Sequence, residues 1–456
     1  MRRVLAVSLV VMVVIEAMGQ PPGPTPVPSP LLPSARPAQE ADSGAAEAAG
    51  LLDLPGGIPV SQPLQPTGPE PMPVVAPPAS GKTDDVVLEV KVEPPSACGP
   101  LGPCWHSLEL LYWWPARQPI PPLVFGRRAG SALSGSGHHL QLLAGGQAID
   151  SQPSAGGRFR LGSSLNTEQT LGLEVAYFFL GTRSFTQNVR NWGGHGLSFF
   201  GLGYTDATTG TNELLTLGQT GSLFSTLDLS TSVRVQGWEV NTVANAFAGA
   251  LVQLNTILGY RYFMANEGLR IEQQQYRYRG IGGIAATADQ FDAHNRFHGG
   301  QVGLSADLRG RVVFCELVAK VAFGQNYQVV KTEGMTHLWL SGTGGTTLQT
   351  YGGSGILVQP SNFGRELRGV FAVLPEGSVK LGFRWGESGR LYVGYNFIYL
   401  SDAVRPGDQI DRTLNPAQIP LVSGAPPVYD ADRPTRLFHR SDFWVQGVVI
   451  GLETRY

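Results

Sequence analysis

The chain has 456 residues, of which 15% are charged, and its formal net charge is −2. A near-neutral balance excludes a basic field for nucleic acid, and so few charges fall well below the roughly 25% of an ordinary globular domain. With 59 glycines and 9% aromatic residues, the composition favours strands and turns over helices.

Residues 1–19 begin Met1-Arg2-Arg3, run through an apolar core and end Ala17-Met18-Gly19. A basic start, a short apolar core and a small-x-small site read as a secretory signal peptide, cleaved after Gly19. A spanning helix needs about 20 apolar residues; this run is too short and no later stretch is long enough. An exported chain of this kind enters a membrane only as a closed barrel. Residues 20–97 are dominated by Pro, Ala, Gly and Ser with no sustained period, the composition of a disordered tether. Within it, Gly81-Lys82-Thr83 imitates the end of a phosphate-binding loop, but Ala76 stands where the first glycine is required.

Cys98 and Cys104 flank Gly-Pro-Leu-Gly-Pro, so an oxidising compartment allows a local disulfide between them. Two cysteines with only His106 nearby fall short of the four ligands of a zinc site, and no other metal or cofactor site is expected. Cys315 lies on an apolar strand face and is read as packing.

Residues 98–456 carry alternating segments separated by turn-rich stretches. The first sets Leu108, Leu110, Tyr112 and Trp114 against Glu109. The next sets Leu171, Leu173, Val175, Tyr177 and Phe179 against Gly172, Glu174 and Ala176. Val252, Leu254, Leu258, Tyr260 and Tyr262 oppose Gln253, Asn255, Gly259 and Arg261, and Val302, Leu304 and Leu308 oppose Gln301, Gly303, Ser305 and Asp307. Val379, Leu381, Phe383 and Trp385 oppose Lys380, Gly382 and Arg384, and Leu391 to Tyr399 repeats the pattern around Gly394 and Asn396. From Trp444 the even positions read Trp, Gln, Val, Ile, Leu, Thr, Tyr, so the chain ends on an aromatic residue, Tyr456. Such alternation between aromatic rims is that of a transmembrane β-strand, and several segments reach the ~9–11 residues that crossing requires.

Short turns on one side and long loops on the other give an independent test. Counting back from a periplasmic Tyr456 makes residues 402–440 an external loop and Gly386-Glu387-Ser388-Gly389 a short inner turn. Residues 366–385 then form one strand bent at Pro375, and residues 326–364 an external loop. Turns are placed at Leu308-Arg309-Gly310, Asn266-Glu267-Gly268 and Asn166-Thr167, and residues 181–210 fall outside. With a weak strand at residues 223–230, the expectation is an all-β, antiparallel transmembrane barrel of about twelve strands.

The charged residues expected to line its lumen are Glu109, Glu174, Glu239, Arg261, Glu316, Lys320, Lys380, Arg384, Glu453 and Arg455. Opposed charges there either filter solutes by size and sign, or pair and plug the barrel. No catalytic residues are expected. There is no Gly-x-Ser-x-Gly elbow, and Gly352-Gly353-Ser354-Gly355-Ile356 fails at its last position. His298 falls on the lipid side, and His138 and His139 in a Gly/Ser loop. Asp402, Asp408 and Asp411 lack EF-hand spacing, and Pro406-Gly407-Asp408 reads as a turn whose glycine supplies positive φ.

Several stretches together resemble the outer-membrane beta-barrel porin family numbered seven. They include Gly172-Leu173-Glu174, Gly259-Tyr260-Arg261-Tyr262, Asn295-Arg296-Phe297-His298-Gly299-Gly300-Gln301 and Val393-Gly394-Tyr395. Arg405-Pro406-Gly407-Asp408-Gln409-Ile410-Asp411 and Asp442-Phe443-Trp444-Val445-Gln446-Gly447 belong with them. The resemblance covers residues 105–456 and implies a Gram-negative outer-membrane barrel, with no substrate or catalytic residues to carry over. The expected activity is passive diffusion of small polar solutes, the alternative a structural or adhesive barrel with an occluded lumen. Expected partners are outer-membrane lipid, the barrel-assembly machinery reading Tyr456, and a second copy in a homo-oligomer, with no nucleic acid.

Overall fold

The computed structural model describes residues 103–128, 140–146, 152–191, 197–277, 284–342, 345–427 and 432–455, residue 387 excepted, all within the unit Glu89–Tyr456. The expected signal peptide and tether, with Cys98, His138, His139 and Tyr456, lie outside the described residues. In chain order the strands are β1 (Cys104–Pro115), β2 (Val124–Arg128), β3 (Gln141–Ala144), β4 (Ser154–Ser164), β5 (Leu171–Leu180), β6 (Arg183–Asn191), β7 (Leu197–Asp206) and β8 (Asn212–Gln219). There follow β9 (Leu223–Ala248), β10 (Val252–Arg277), β11 (Ile284–Arg309), β12 (Val313–Gly342), β13 (Gly345–Gly352), β14 (Gly364–Trp385), β15 (Gly389–Val404), β16 (Thr413–Leu414) and β17 (Arg440–Arg455).

One antiparallel ring runs through them. β1 pairs with β4, β4 with β5, β5 with β9, and the ladder continues through β10, β11, β12, β14, β15 and β17, which returns to β1. These are ten strands, not about twelve. The expected turn at Asn266-Glu267-Gly268 does not exist: β10 runs straight through it, matched by Arg234-Val233-Ser232 on β9 and His294-Ala293-Asp292 on β11. Ladder bonds on both sides outweigh the local turn preference of those three residues. The weak strand at residues 223–230 is likewise the start of β9, and β12 extends through Gly342 into the stretch expected to be loop. Pro375 is carried inside the unbroken strand β14.

Short connections join β4 to β5, β9 to β10, β11 to β12 and β14 to β15, so the chain turns tightly at one end of the barrel. At the other end β6, β7, β8, β2, β3, β13 and β16 build onto the ring. β6 continues β5 along β9, β2 pairs with β3 and β7, β7 with β8, and β13 with β12.

The outer surface explains where the bilayer fits. Outward side chains near the short turns are apolar and exposed, as in Leu110 (67%), Leu258 (66%) and Phe383 (60%), while the alternate side chains are buried inside. Exposure on this scale costs about 25 cal/mol per Å² in water, so the belt is matched to hydrocarbon. An aromatic collar closes it: Trp238, Tyr260, Tyr262, His298 and Tyr327 meet edge and face, with the Tyr260 hydroxyl 3.1 Å from His298 Nδ1. Beyond the collar β11 presents Gln290, Asp292, His294 and Arg296 outward, so its outer face is polar there. β9, β10 and β11 have 26 residues each. At ~3.3 Å per residue and a ~40° tilt they rise roughly 65 Å, about twice the hydrocarbon thickness.

Candidate functional site

The interior is filled in layers. At the short-turn rim Arg390 lies 3.2 Å from Asp307 and 3.7 Å from Glu453, and Arg455 caps Glu453 at 2.9 Å. Arg384 points to the same rim, its Nε and Nη2 buried without a hydrogen-bond partner among the described residues.

Within the apolar belt comes the main ionic layer. Strand alternation places Glu109 (β1), Arg158 and Arg160 (β4), Glu174 (β5), Glu239 (β9), Arg261 (β10), Glu316 and Lys320 (β12), and Glu376 and Lys380 (β14) on the inner face. One half joins Glu109 to Arg158 (3.4 Å), Arg160 (3.9 Å) and Lys380 (3.2 Å), with Glu316 bound to Lys380 (3.2 Å) and Arg160 (3.7 Å). Arg160 also grips Glu174 at 2.9 Å, and the Tyr392 hydroxyl donates to Glu109 at 2.8 Å. The other half joins Glu239 to Lys320 (2.6 Å) and Arg261 (3.5 Å), and Glu376 to Arg261, Lys320 (3.4 Å) and Arg158 (3.8 Å). Asn396 bridges the halves, accepting from Arg158 at 2.8 Å and donating to Glu376 at 2.9 Å.

Five acids (Glu109, Glu174, Glu239, Glu316, Glu376) meet five cations (Arg158, Arg160, Arg261, Lys320, Lys380), so the layer is neutral. None of these ten side chains exceeds 14% exposure. Neutrality is what makes such burial tolerable, because an unpaired charge in this setting costs several kcal/mol.

Above the ions lies an aromatic layer of Trp113, Phe178, Phe263, Phe297 and Phe443. Arg158 sits 5.1 Å from the Trp113 ring on one side, and Arg405 5.6 Å from the Phe443 ring on the other. Arg405 begins the long connection from β15 to β17 and is locked inside by Glu267 at 2.7 Å and the Ala116 carbonyl at 2.9 Å. Beyond it, infolded connections complete the filling: Leu123 and Val124, Leu357 and Val358, and Leu414 and Ile419 pack on inward Leu227, Leu269 and Phe291. The buried Asp289 carboxylate accepts the backbone N–H groups of Ile356, Leu357 and Val358 at 2.9–3.1 Å, holding that connection in place.

The remaining expected features settle as follows. Cys104 is disulfide-bonded and Cys315 is free, whereas Cys98 lies outside the described residues. His298 sits in the outer aromatic collar. Asp402 stands at a bulge with φ 50°, its carboxylate paired with Arg440 at 2.8 Å. Asp411 accepts the N–H groups of Thr413 (2.9 Å) and Thr435 (2.7 Å) and holds Arg433. Asp408 accepts from Ser441 at 2.7 Å. Gly407 does not have positive φ, contrary to the turn expectation. A Cβ there would come 1.7 Å from the Pro119 carbonyl oxygen, so glycine is required for close approach between two infolded connections.

Sequence reasoning missed Arg158, Arg160 and Glu376. Arg158 and Arg160 share one parity around Phe159 in a strand with four small residues in its first half, and Glu376 shares the parity of Lys380. That parity was the available signal.

A family described as "Putative beta barrel porin-7 (BBP7)" matches residues 105–456. The chain belongs to this family. The porin-7 match begins at the first residues of β1 and takes in the whole ring, and with the apolar belt it identifies an outer-membrane β-barrel. No curated protein matches. Among solved structures, the chain is similar to the outer membrane protease OmpT of Escherichia coli, with 10% identity, 78% of this chain and 97% of that chain covered, and a TM-score of 0.36. It is also similar to the P. putida toluene transporter TodX, with 7% identity, 78% and 90% covered, and a TM-score of 0.18. A Pseudomonas aeruginosa FadL homologue follows, with 8% identity, 78% and 90% covered, and a TM-score of 0.19. Likenesses this low carry no argument about activity.

Proposed function

We propose that this porin-7 barrel is occluded, and that it works as a structural or adhesive anchor for the tower above its collar. The supporting observation is the neutral layer of five acids and five cations inside the belt, backed by aromatic side chains and infolded connections. A diffusion pore needs a continuous aqueous path, and buried ion pairs that cross the lumen between strands count against such a path at that level. The second reading, passive diffusion of small polar solutes, is favoured by the porin name of the family, and it requires the ionic layer to part.

In this reading the short-turn end faces the periplasm, residues 1–19 export the chain, residues 20–97 form a periplasmic tether, and Cys98 bridges Cys104. Outer-membrane lipid surrounds the belt, the assembly machinery recognises the strand ending at Tyr456, and the barrel has no catalytic role. Planar-bilayer recording of the refolded full chain tests the proposal. Silence at high protein load is expected, and reproducible ohmic unitary openings would refute occlusion in favour of the diffusion reading.

A further inference from the structure

Above the collar the outer face of β11 is polar, and cations gather from it toward β12 and β14. On β11 the first outward residue above His298 is Arg296, in register with Met264 of β10 and Tyr327 of β12. His294 follows, in register with Asn266 and Val329. Lys331 on β12 faces Arg365 on β14, and Asp292 stands across from Lys331. Lys331 is paired with Glu333 at 2.7 Å, but neither Arg296 nor Arg365 forms an ion pair or hydrogen bond among the described residues. Arg296, Arg365 and Lys331 all act electrostatically on His294, whose Nδ1 is buried without a hydrogen-bond partner among the described residues. Two strands farther round the ring from β14, on β17, Arg440 is neutralised by Asp402, and Asp442 is the outward residue above Trp444.

The surface directly below Arg365 and Lys331, and beside Arg296, is apolar. From Arg365 the outward face of β14 reads Leu367, Gly369, Phe371 and Val373, with Leu367 66% and Phe371 67% exposed. Arg365 and Lys331 therefore stand one alternation step, ~6.6 Å along the strand, above Leu367, and Arg296 is level with Gly369 beside the track, at the height where head groups flank an aromatic belt.

We infer that Arg296, Lys331 and Arg365 form a binding site for the phosphate of a membrane lipid, whose acyl chain lies along Leu367 and Phe371. A guanidinium presents paired donors matched to phosphate oxygens, and two arginines free of carboxylates keep those donors available. The apolar track distinguishes a lipid from free phosphate, because only a lipid gains from both surfaces. The site rests on the belt facing hydrocarbon and is independent of whether the lumen conducts.

The test reconstitutes the full chain in phosphatidylcholine vesicles carrying spin-labelled phosphatidic acid or spin-labelled phosphatidylcholine, and compares the motionally restricted fractions. The natural chain should prefer phosphatidic acid. Arg296→Gln with Arg365→Gln should lower the preference by about fivefold for each arginine removed. Arg440→Gln, at a cation already paired with Asp402 on β17, should leave it unchanged, and Arg296→Lys with Arg365→Lys should keep most of it. Tryptophan fluorescence confirms that each variant is folded. Equal restriction of both lipids in the natural chain, or an unchanged preference in the double glutamine variant, would overturn the site. Abolition of the preference by inorganic phosphate at constant ionic strength would overturn its assignment to a lipid.

Discussion

Replacing Lys380 by methionine tests whether the lumen is held as a charge-balanced layer. Lys380 Nζ lies 3.2 Å from both Glu109 and Glu316, and its side chain is 3% exposed. Lys380→Met keeps the volume but leaves five acids against four cations, with two carboxylates facing each other across the vacated position. Removing one partner of a buried ionic group typically costs about 3–5 kcal/mol, because the remaining charge keeps its desolvation and loses its compensation. Adding Glu316→Gln restores four against four and should bring stability back to within about 1 kcal/mol of the natural chain, a coupling of about 2–4 kcal/mol. Equilibrium urea unfolding in detergent micelles measures both, provided the folding and unfolding limbs coincide. A single variant within about 1 kcal/mol of the natural chain, or a double variant whose losses simply add, would show that the ions are not one balanced unit.

Two further outcomes follow from the infolded connections. Burial alone would raise the Asp411 carboxyl, but hydrogen bonds from Thr413, Thr435 and Arg433 hold it below the usual carboxylate range. A carboxylate depressed on folding stabilises above its unfolded value and loses that contribution as pH falls through the folded one. Hydrogen exchange at the Thr413 and Thr435 amides should therefore quicken, relative to intrinsic rates, on acidification below about pH 4, and Asp411→Asn should flatten that dependence. An identical acid limb in the asparagine variant would assign it elsewhere. Gly407→Ala forces a Cβ against the Pro119 carbonyl oxygen and should cost about 1–3 kcal/mol, read as earlier protease cleavage of residues 405–439. Unchanged cleavage would mean that the two connections separate freely.

The course of β10 shows how far local signals reach. Its lower half was legible because apolar residues alternate with Gln253, Asn255 and Arg261 against a one-sided lipid environment. Its upper half was not, because Asn266-Glu267-Gly268 has turn chemistry, and what keeps it extended comes from ladder pairing with β9 and β11 on both sides and from the sequence-distant Arg405. The ionic layer divides in the same way. Parity placed Glu109, Lys380 and Arg261 on the inner face, but which charges touch depends on register around the closed ring. Glu109 and Tyr392 are 283 residues apart in sequence and 2.8 Å apart in space.

By itself the sequence determined that this chain is a strand-built barrel with one lipid face and one polar face, because a period of two is written residue by residue into each strand. The tertiary structure decided that the ring has ten strands, that long connections fold inward, and that the lumen charges neutralise one another. Those properties depend on ring closure and on contacts between distant segments, which no local pattern encodes.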